Sequence, residues 1–372
     1  SSAASDVYKR QFMNKIRFGL IGCGDIAHIR YFYSIPHFEE IELVGIYDMN
    51  KPFLQKTAEE LGVKAFNSYE EMLDDPTIDA VIVTTYHPSH TPLAIQALKA
   101  GKHVISEKPV SVSIEQAKQL KEAAAQTDKV FMAMPNDAYP QIEKVKELIE
   151  QGVIGEVCAI DSVFAHHGPL HAPWFFDYEK AQWGVLADLG VYSISTLSYL
   201  FGPVARVYGE TRCFEKRRVS DAGEEFIPSV EDNVAATLVW DDGKVATMRS
   251  NWCTGVHKDH GLWRFTFNGS KGIIHLDMAR TDHPIIVVSP NCEIPGAEKV
   301  SFMGQDYCYS VSVGKVDNND SVLELFLDAI KNNRKFPDNG CSIVRQNHVI
   351  EIIDRIYESS RTGKAYEITS KF

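Results

Sequence analysis

The sequence has no Cys-x-x-Cys pair, no internal repeat, no long uncharged apolar run and no block of basic residues. Each absence excludes something. The cysteines (Cys23, Cys158, Cys213, Cys253, Cys292, Cys308 and Cys341) are scattered and odd in number. That pattern suits free thiols in a reducing, cytoplasmic setting better than a disulfide framework. No apolar stretch reads as long enough for a membrane helix. The net charge of −12 argues against nucleic acid or an anionic membrane as the main partner. The first residues lack the apolar centre of a signal peptide. Residues 1–13 are therefore expected to be a non-native or disordered leader, with Met13 as the natural start.

Hydrophobic residues make up 44% of the 372 positions and charged residues 24%, the balance of a soluble globular chain with room for two domains. In the first part, β-branched strands alternate with helical stretches. Strands are expected over 16–21, 41–47, 80–84, 103–106 and 130–134, and helices over 25–34, 51–61, 69–73 and 114–125. Thr91-Pro92 reads as the start of a further helix that Gly101 ends. This alternation implies a parallel sheet covered by helices on both faces, a Rossmann-type domain over 14–136. After one more helix, alternating strands separated by Gly-Asp-Asn turns dominate. Residues 137–372 are accordingly expected to form an α+β domain with a large, mostly antiparallel open sheet. Its late helices (321–332 and 342–360) are expected to pack back near the first domain. The fold class is α/β.

Two short stretches carry most of the chemistry. In Gly22-x-Gly24-x-x-Ala27, the motif follows a strand and opens a helix, the context that makes a dinucleotide turn credible. Gly22 permits the tight turn, and Gly24 leaves room for a pyrophosphate at a helix N-terminus, where N–H groups and the dipole favour anions. Ala27 lets the helix pack closely. Asp25 and Ile26 lie between them. Asp48 ends the second strand, where a carboxylate accepts hydrogen bonds from ribose hydroxyls and opposes a 2′-phosphate. The next residues are Met49, Asn50 and Lys51, with no arginine. NAD is expected, and NADP is less favoured. The second stretch, Gly101-Lys-His-Val-Ile-Ser-Glu107-Lys108-Pro109, puts a lysine at the end of a later strand of the same sheet. A lysine ammonium near a reacting hydroxyl stabilises a developing alkoxide, so dinucleotide and lysine together suggest hydride chemistry.

Gly22–Ala27, Asp48, Thr85-x-x-x-x-His90, the Glu107-Lys108-Pro109 segment and Asp188-Leu-Gly190-Val-Tyr192 occur in that order. From about Lys15 onward the chain resembles the Gfo/Idh/MocA oxidoreductases, the group of glucose–fructose oxidoreductase and inositol dehydrogenase. The resemblance implies that Lys108 reaches the substrate hydroxyl and the nicotinamide ribose, and that Pro109 follows a cis peptide. It implies catalytic roles for Lys108, Asp188 and Tyr192. Cofactor contacts then fall at Gly22, Gly24, Asp25, Ile26, Ala27, Asp48, Thr85, His87, His90, Glu107, Lys108, Asn136 and Trp174. If the segment from Trp183 to Leu200 is helical, Asp188 and Tyr192 share one face. The second position is often histidine in the family. Free tyrosine titrates near 10, so Tyr192 would need help from Lys108 to act as a base, and Lys108 itself is the alternative base.

Three departures bear on the carry-over. The lead into the Asp188 helix is Gln182-Trp183-Gly184, so Trp183 adds bulk. The usual Pro-Asn after Thr85 is Tyr86-His87. No arginine follows the sixth strand, where Asn136 stands. His166, His167 and Trp183 are expected substrate contacts, whereas His257 and His260 read as a polar turn. Ligand spacing for a metal is missing, and none is expected. The partner is a small carbohydrate-like substrate, and a homo-oligomer (dimer or tetramer) is expected. The leading reading is an NAD-dependent oxidoreductase of a secondary hydroxyl in a sugar, glycoside or cyclitol. Two others use the same fold: a glycosidase-like enzyme that retains its NAD, and a non-catalytic NAD-binding sensor.

Overall fold

The computed structural model describes residues 15–135, 139–255, 262–280, 284–290, 292–302, 305–314, 319–336 and 341–372. Asn136, His257 and His260 lie outside the described residues. Where the sequence suggests one boundary after residue 136, contacts divide the chain into two interleaved units. The first takes the described residues within 1–107, 119–133 and 318–337, the second those within 108–118, 134–317 and 338–372.

The first unit is built on a parallel six-stranded sheet. Its strands are β1 (Ile16–Ile21), β2 (Ile41–Tyr47), β3 (Lys64–Ala65), β4 (Ala80–Val83), β5 (His103–Ser106) and β6 (Phe131–Ala133), in the order β3-β2-β1-β4-β5-β6. Every residue of β4 is buried, as befits a strand covered on both faces. The order reverses at β1, which pairs with β2 on one side and β4 on the other. Ligands of open parallel sheets bind at such a reversal, beyond the strands' carboxyl ends.

The helices follow local signals. Lys51–Leu61 is capped by Asn50, whose side chain accepts the Phe53 N–H, and ends at Gly62 with φ +67°. One expected start is corrected. The helix before β5 runs His87–Lys99, so Thr91-Pro92 lies inside it. Pro88 already occupies the first turn, where a missing N–H costs nothing, and Pro92 is tolerated a turn later. The helix Asp320–Lys331 also belongs to this unit, with Phe326 against Phe18 at 5.8 Å and Asp320 against His37 at 3.0 Å.

The second unit carries a ten-stranded mixed sheet. Its strands are β7 (Val157–Ala165), β8 (Arg206–Arg212), β11 (Asn233–Val239), β12 (Val245–Asn251), β13 (Leu262–Gly269), β14 (Gly272–Asp277), β15 (Ile285–Val288), β16 (Glu298–Phe302), β17 (Gln305–Val311) and β18 (Tyr366–Glu367). They run in the order β16-β17-β15-β14-β13-β7-β12-β11-β8-β18. A separate two-stranded ribbon pairs β9 (Arg218–Val219) with β10 (Glu225–Phe226). Most pairings are antiparallel, but β7 runs parallel to β12. Strand β12 alternates, exposing Val245, Thr247 and Arg249 and burying Ala246, Met248 and Ser250, the mark of a sheet with one face on the core. The helix Ile343–Thr362 buries Val349, Ile352, Ile353 and Ile356.

The membrane reading from sequence is corrected on one point. By length and composition, the run Tyr178–Phe201 is apolar enough to cross a bilayer. Yet its most apolar part is mostly buried inside the protein, so its apolar character goes into the core of the second unit.

Candidate active site

At the carboxyl end of the parallel sheet, the turn after β1 is made chiefly from backbone. Gly22 has φ +91°, and a Cβ there would stand 2.6 Å from the Thr84 carbonyl oxygen. No side chain fits that approach. Thr84 closes it from the other strand, its hydroxyl donating to the Gly22 carbonyl at 2.6 Å. Gly24 is different: it is exposed, and a Cβ there would meet nothing within 4 Å. The protein itself does not require glycine at that position, so the open space suits a ligand that approaches the backbone. Ala27 is fully buried, Asp25 is exposed and Ile26 is partly exposed.

Asp48 is tied to this turn. One carboxylate oxygen accepts the Cys23 N–H at 2.9 Å and the other accepts the Asn50 N–H at 2.8 Å. The Cys23 thiol is pushed up to about 12, by burial first and by Asp48 second, so it stays protonated. Lys51, the next cation in sequence, donates to the Asn67 carbonyl at 2.6 Å and lies over the Tyr47 ring. These residues fit a dinucleotide. When bound, it would supply the hydride acceptor.

Thr85 bonds Ser89 through its hydroxyl at 2.7 Å, and its carbonyl meets His90 Nε2 at 2.8 Å. His87 and His90 are both almost fully buried, so each sits inside the first unit. Glu107 is also an internal anchor. Its carboxylate accepts from Arg30 Nη1 at 2.5 Å and from the Tyr31 hydroxyl at 2.9 Å. Arg30 and Tyr31 belong to the π-helical segment Ala27–Phe32, so Glu107 fixes the helix that follows the glycine turn.

The next residue, Lys108, opens the second unit and precedes a cis proline, Pro109. Its ammonium donates to Asp188 Oδ1 at 2.5 Å and to the Asp188 carbonyl at 3.1 Å. Both side chains are about a tenth exposed. Trp252 donates from Nε1 to the other carboxylate oxygen at 3.2 Å. The Lys108 ammonium lies 5.4 Å from the Tyr192 ring centre and 5.9 Å from that of Phe175. Asp188 sits in a π-helical segment, Leu186–Gly190, and α-helix resumes at Val191. Wide turns of this kind recur at functional sites. Here both the Asp188 carbonyl and its carboxylate meet the lysine.

Tyr192 is held by rings. Phe164 stands edge-on at 5.8 Å and Trp263 at 5.4 Å, while Phe164 and Trp263 stack on each other at 4.7 Å across β7 and β13. His166 is pulled down to about 4, by burial above all, with Asp188 opposing. It is thus a neutral ring near pH 7, whose Nδ1 accepts the Gly168 N–H. His167 lends its carbonyl to Arg218 at 3.0 Å. Trp174 stacks on Phe175 at 3.9 Å. Trp183 stacks on Tyr357 of the last long helix at 5.7 Å.

The structure thus brings together Lys108, Asp188 and Tyr192, and adds Trp252, Phe164, Phe175 and Trp263, which sequence reasoning missed. Only the alternation of β7 and β12 hinted at them, since no motif marks an aromatic at a strand end. Among the described residues, no group of His, Cys, Asp or Glu could hold a metal ion.

A parallel dinucleotide-type sheet in one unit and a buried lysine–carboxylate pair beside a phenol in the other define an oxidoreductase architecture. The chain belongs to the Gfo/Idh/MocA family. Residues 16–134 match the oxidoreductase family with NAD-binding Rossmann fold, and residues 142–275 match the family's C-terminal domain. The family is one of NAD(P)-binding oxidoreductases. Among similar proteins, a trans-1,2-dihydrobenzene-1,2-diol dehydrogenase of Mus musculus is 29% identical, aligned over 61% of this chain and 66% of its own length. The chain therefore spans a little under two thirds of that enzyme. A myo-inositol 2-dehydrogenase of Thermotoga maritima is 27% identical over 71% of this chain and 76% of its own. A levoglucosan dehydrogenase solved with NADH and L-sorbose shares the fold, with TM-score 0.81 and 21% identity over 96% of this chain and 99% of that one.

Proposed function

We propose that this protein is an NAD-dependent dehydrogenase oxidising a secondary hydroxyl of a sugar, glycoside or cyclitol. The observation that carries the reading is the buried Lys108–Asp188 pair with Tyr192 beside it. Oxidation removes a hydride from the carbon and a proton from its hydroxyl. Lys108 steadies the developing alkoxide, as preorganised charge does in a water-poor site. Tyr192 exchanges the hydroxyl proton, supported by the ammonium, and Asp188 orients the lysine. Phe164, Phe175, Trp174 and Trp263 offer the aromatic faces against which a sugar ring packs. His166 and His167 are its polar contacts.

NAD is favoured over NADP by Asp48, whose charge would oppose a 2′-phosphate, and by Lys51, which is turned toward Asn67 and Tyr47. Gly22, Gly24, Asp25, Ile26 and Ala27 receive the pyrophosphate side. The working protein is a cytoplasmic homo-oligomer with no nucleic-acid or membrane partner, and the outward face of the large sheet is available for self-association.

The test is NADH absorbance on mixing protein and NAD with a panel of sugars, glycosides and inositols, with Lys108→Ala as control. A rise that Lys108→Ala abolishes is expected. Tight NAD binding with no rise on any substrate would overturn the reading, and glycoside hydrolysis without NADH would point to a retained cofactor.

A further inference from the structure

We propose that Glu231 is a positioning residue of this site, holding the first turn of the helix that carries Asp188 and Tyr192. The proposal rests on the dehydrogenase reading above. Glu231 immediately precedes Asp232 and β11, far in sequence from that helix. Yet its Oε2 accepts the Gly184 N–H at 3.1 Å, its Oε1 accepts the Leu186 N–H at 3.1 Å, and its backbone carbonyl accepts the Val185 N–H at 3.2 Å. One residue thus takes three consecutive amides that a helix cannot satisfy internally. Its negative charge also lies at the favourable end of the helix dipole. The turn it holds is two residues from Asp188, and the Asp188 N–H already bonds back to the Gly184 carbonyl.

The fit admits no slack. A Cβ on Gly184 would stand 2.1 Å from the Glu231 carbonyl oxygen and 3.0 Å from its carboxyl carbon, so Gly184 is the residue that lets the carboxylate in. From the other side Tyr357 donates to Oε1 at 2.6 Å, and Trp183 stacks on the Tyr357 ring. This gives Trp183 a role: it backs the phenol that backs the carboxylate.

A second route runs through the neighbouring residue. Asp232 is fully buried, and its carboxylate accepts from the Phe214 and Glu215 amides and from Arg218. Its carbonyl accepts the Trp252 N–H at 2.8 Å, and the Trp252 indole donates to Asp188. The dipeptide Glu231-Asp232 therefore fixes Asp188 both through its helix and through its indole partner.

Among the described residues, the Glu231 carboxylate faces the two amides from the helix, the Tyr357 hydroxyl from the last long helix, the Cys213 thiol just after β8 and, next in sequence, Asp232 paired with Arg218. Burial pushes the Glu231 acid up to about 7, while the Tyr357 hydroxyl and the amides work in the opposite direction. Around neutrality the group therefore passes from acceptor-only carboxylate to carboxylic acid, which holds the amides less well.

Three forms of the full chain are compared by kcat and KM against pH, NAD titration, and hydrogen–deuterium exchange across residues 183–192. In wild type, kcat should fall as pH drops through about 7, with NAD affinity unmoved. Glu231→Gln should remove that step, lower kcat about tenfold, the scale of one charge-assisted hydrogen bond, and quicken exchange from the helix's first turn through Tyr192. Tyr357→Phe removes a donor that favours the ionised form, so the kcat step should move to higher pH. A cap that served stability alone would leave the kcat profile unmoved in every form, and that result would overturn the proposal. If Glu231→Gln does not fold, Tyr357→Phe decides alone, since it keeps the ring and the Trp183 stack. If no substrate turns over in any form, the dehydrogenase reading fails and exchange alone decides the positioning role: quickening in Glu231→Gln that reaches Asp188 and Tyr192 keeps it, and quickening confined to residues 184–186 overturns it.

Discussion

The glycine turn of the first unit and the lysine cluster of the second are built in opposite ways. The turn is backbone: Gly22 against the Thr84 carbonyl, open space at Gly24, and a carboxylate from the end of the next strand. The cluster is side chain: Lys108, the pair Asp188 and Tyr192, and Trp252 come from three separate places in the chain. A backbone site depends on local conformation, so it leaves a short spaced motif. A side-chain site depends on tertiary packing, so its members are legible only where each carries a motif of its own.

The largest effect expected from breaking one and sparing the other is Lys108→Ala. It should lower kcat by about 10²–10³-fold, the cost of one preorganised charge, with NAD affinity by calorimetry weakened far less. A loss of NAD binding of the same size would dissolve the distinction. The mirror experiment is at the glycines. Gly22→Ala should cost about 1–3 kcal/mol of stability from strain at positive φ, with more from the clash on Thr84. Gly24→Ala should leave thermal unfolding within about 0.5 kcal/mol, as at an open surface position, yet weaken NAD. If Gly24→Ala bound NAD like wild type, the phosphates would not lie at this turn.

Smaller effects sharpen the picture of the cluster. Trp252→Phe keeps the ring but removes the donor to Asp188. It should cost about 1–1.5 kcal/mol in kcat/KM, a net hydrogen bond, and an unaltered value would remove Trp252 from the site. A separate effect is on the pH dependence of stability. His103, His166 and His348 are each lowered by burial from 6.5 to about 4. The unfolded chain then binds more protons between these values, and stability should be lost as pH falls from 6.5 through 4. Glu231 is raised from 4.5 to about 7, so the folded chain holds its proton longer, and its contribution falls as pH rises across that window. Calorimetric Tm across this range should show the histidine loss, and Glu231→Gln should remove the opposing slope.

Much of this molecule was open to reading from sequence. The unbroken apolar run of β4 reflects burial on both faces, and the ends of β1, β2 and β5 are marked by a glycine, a carboxylate and the Glu-Lys-Pro segment. The start of the His87–Lys99 helix was misread because two prolines compete for the first turn and only Pro88 takes it. Strands β16 and β17 escaped because their mixed polar composition shows no clean apolar face. Trp183 read as bulk near substrate, whereas its ring meets Tyr357, a partner that only the folding of the last helix supplies. Glu231 carried no signal, since a lone acidic residue before a strand looks like a solvated one.

The position of β7 in its sheet bears on how the second unit comes to exist at all. This strand is the earliest of its sheet in sequence, yet it lies inside the sheet, between β12 and β13. Val245 must reach Ala159, and Leu262 must reach Ala165, before β7 is paired on either side. Such distant pairing slows folding, because loop closure precedes its reward. On the ribosome β7 therefore waits, apolar and unpaired, while β8, β11 and β12 can assemble as local antiparallel neighbours. Truncation before Asn251 would leave that strand without its parallel partner complete, and the nascent chain would be most exposed to chaperones over that interval.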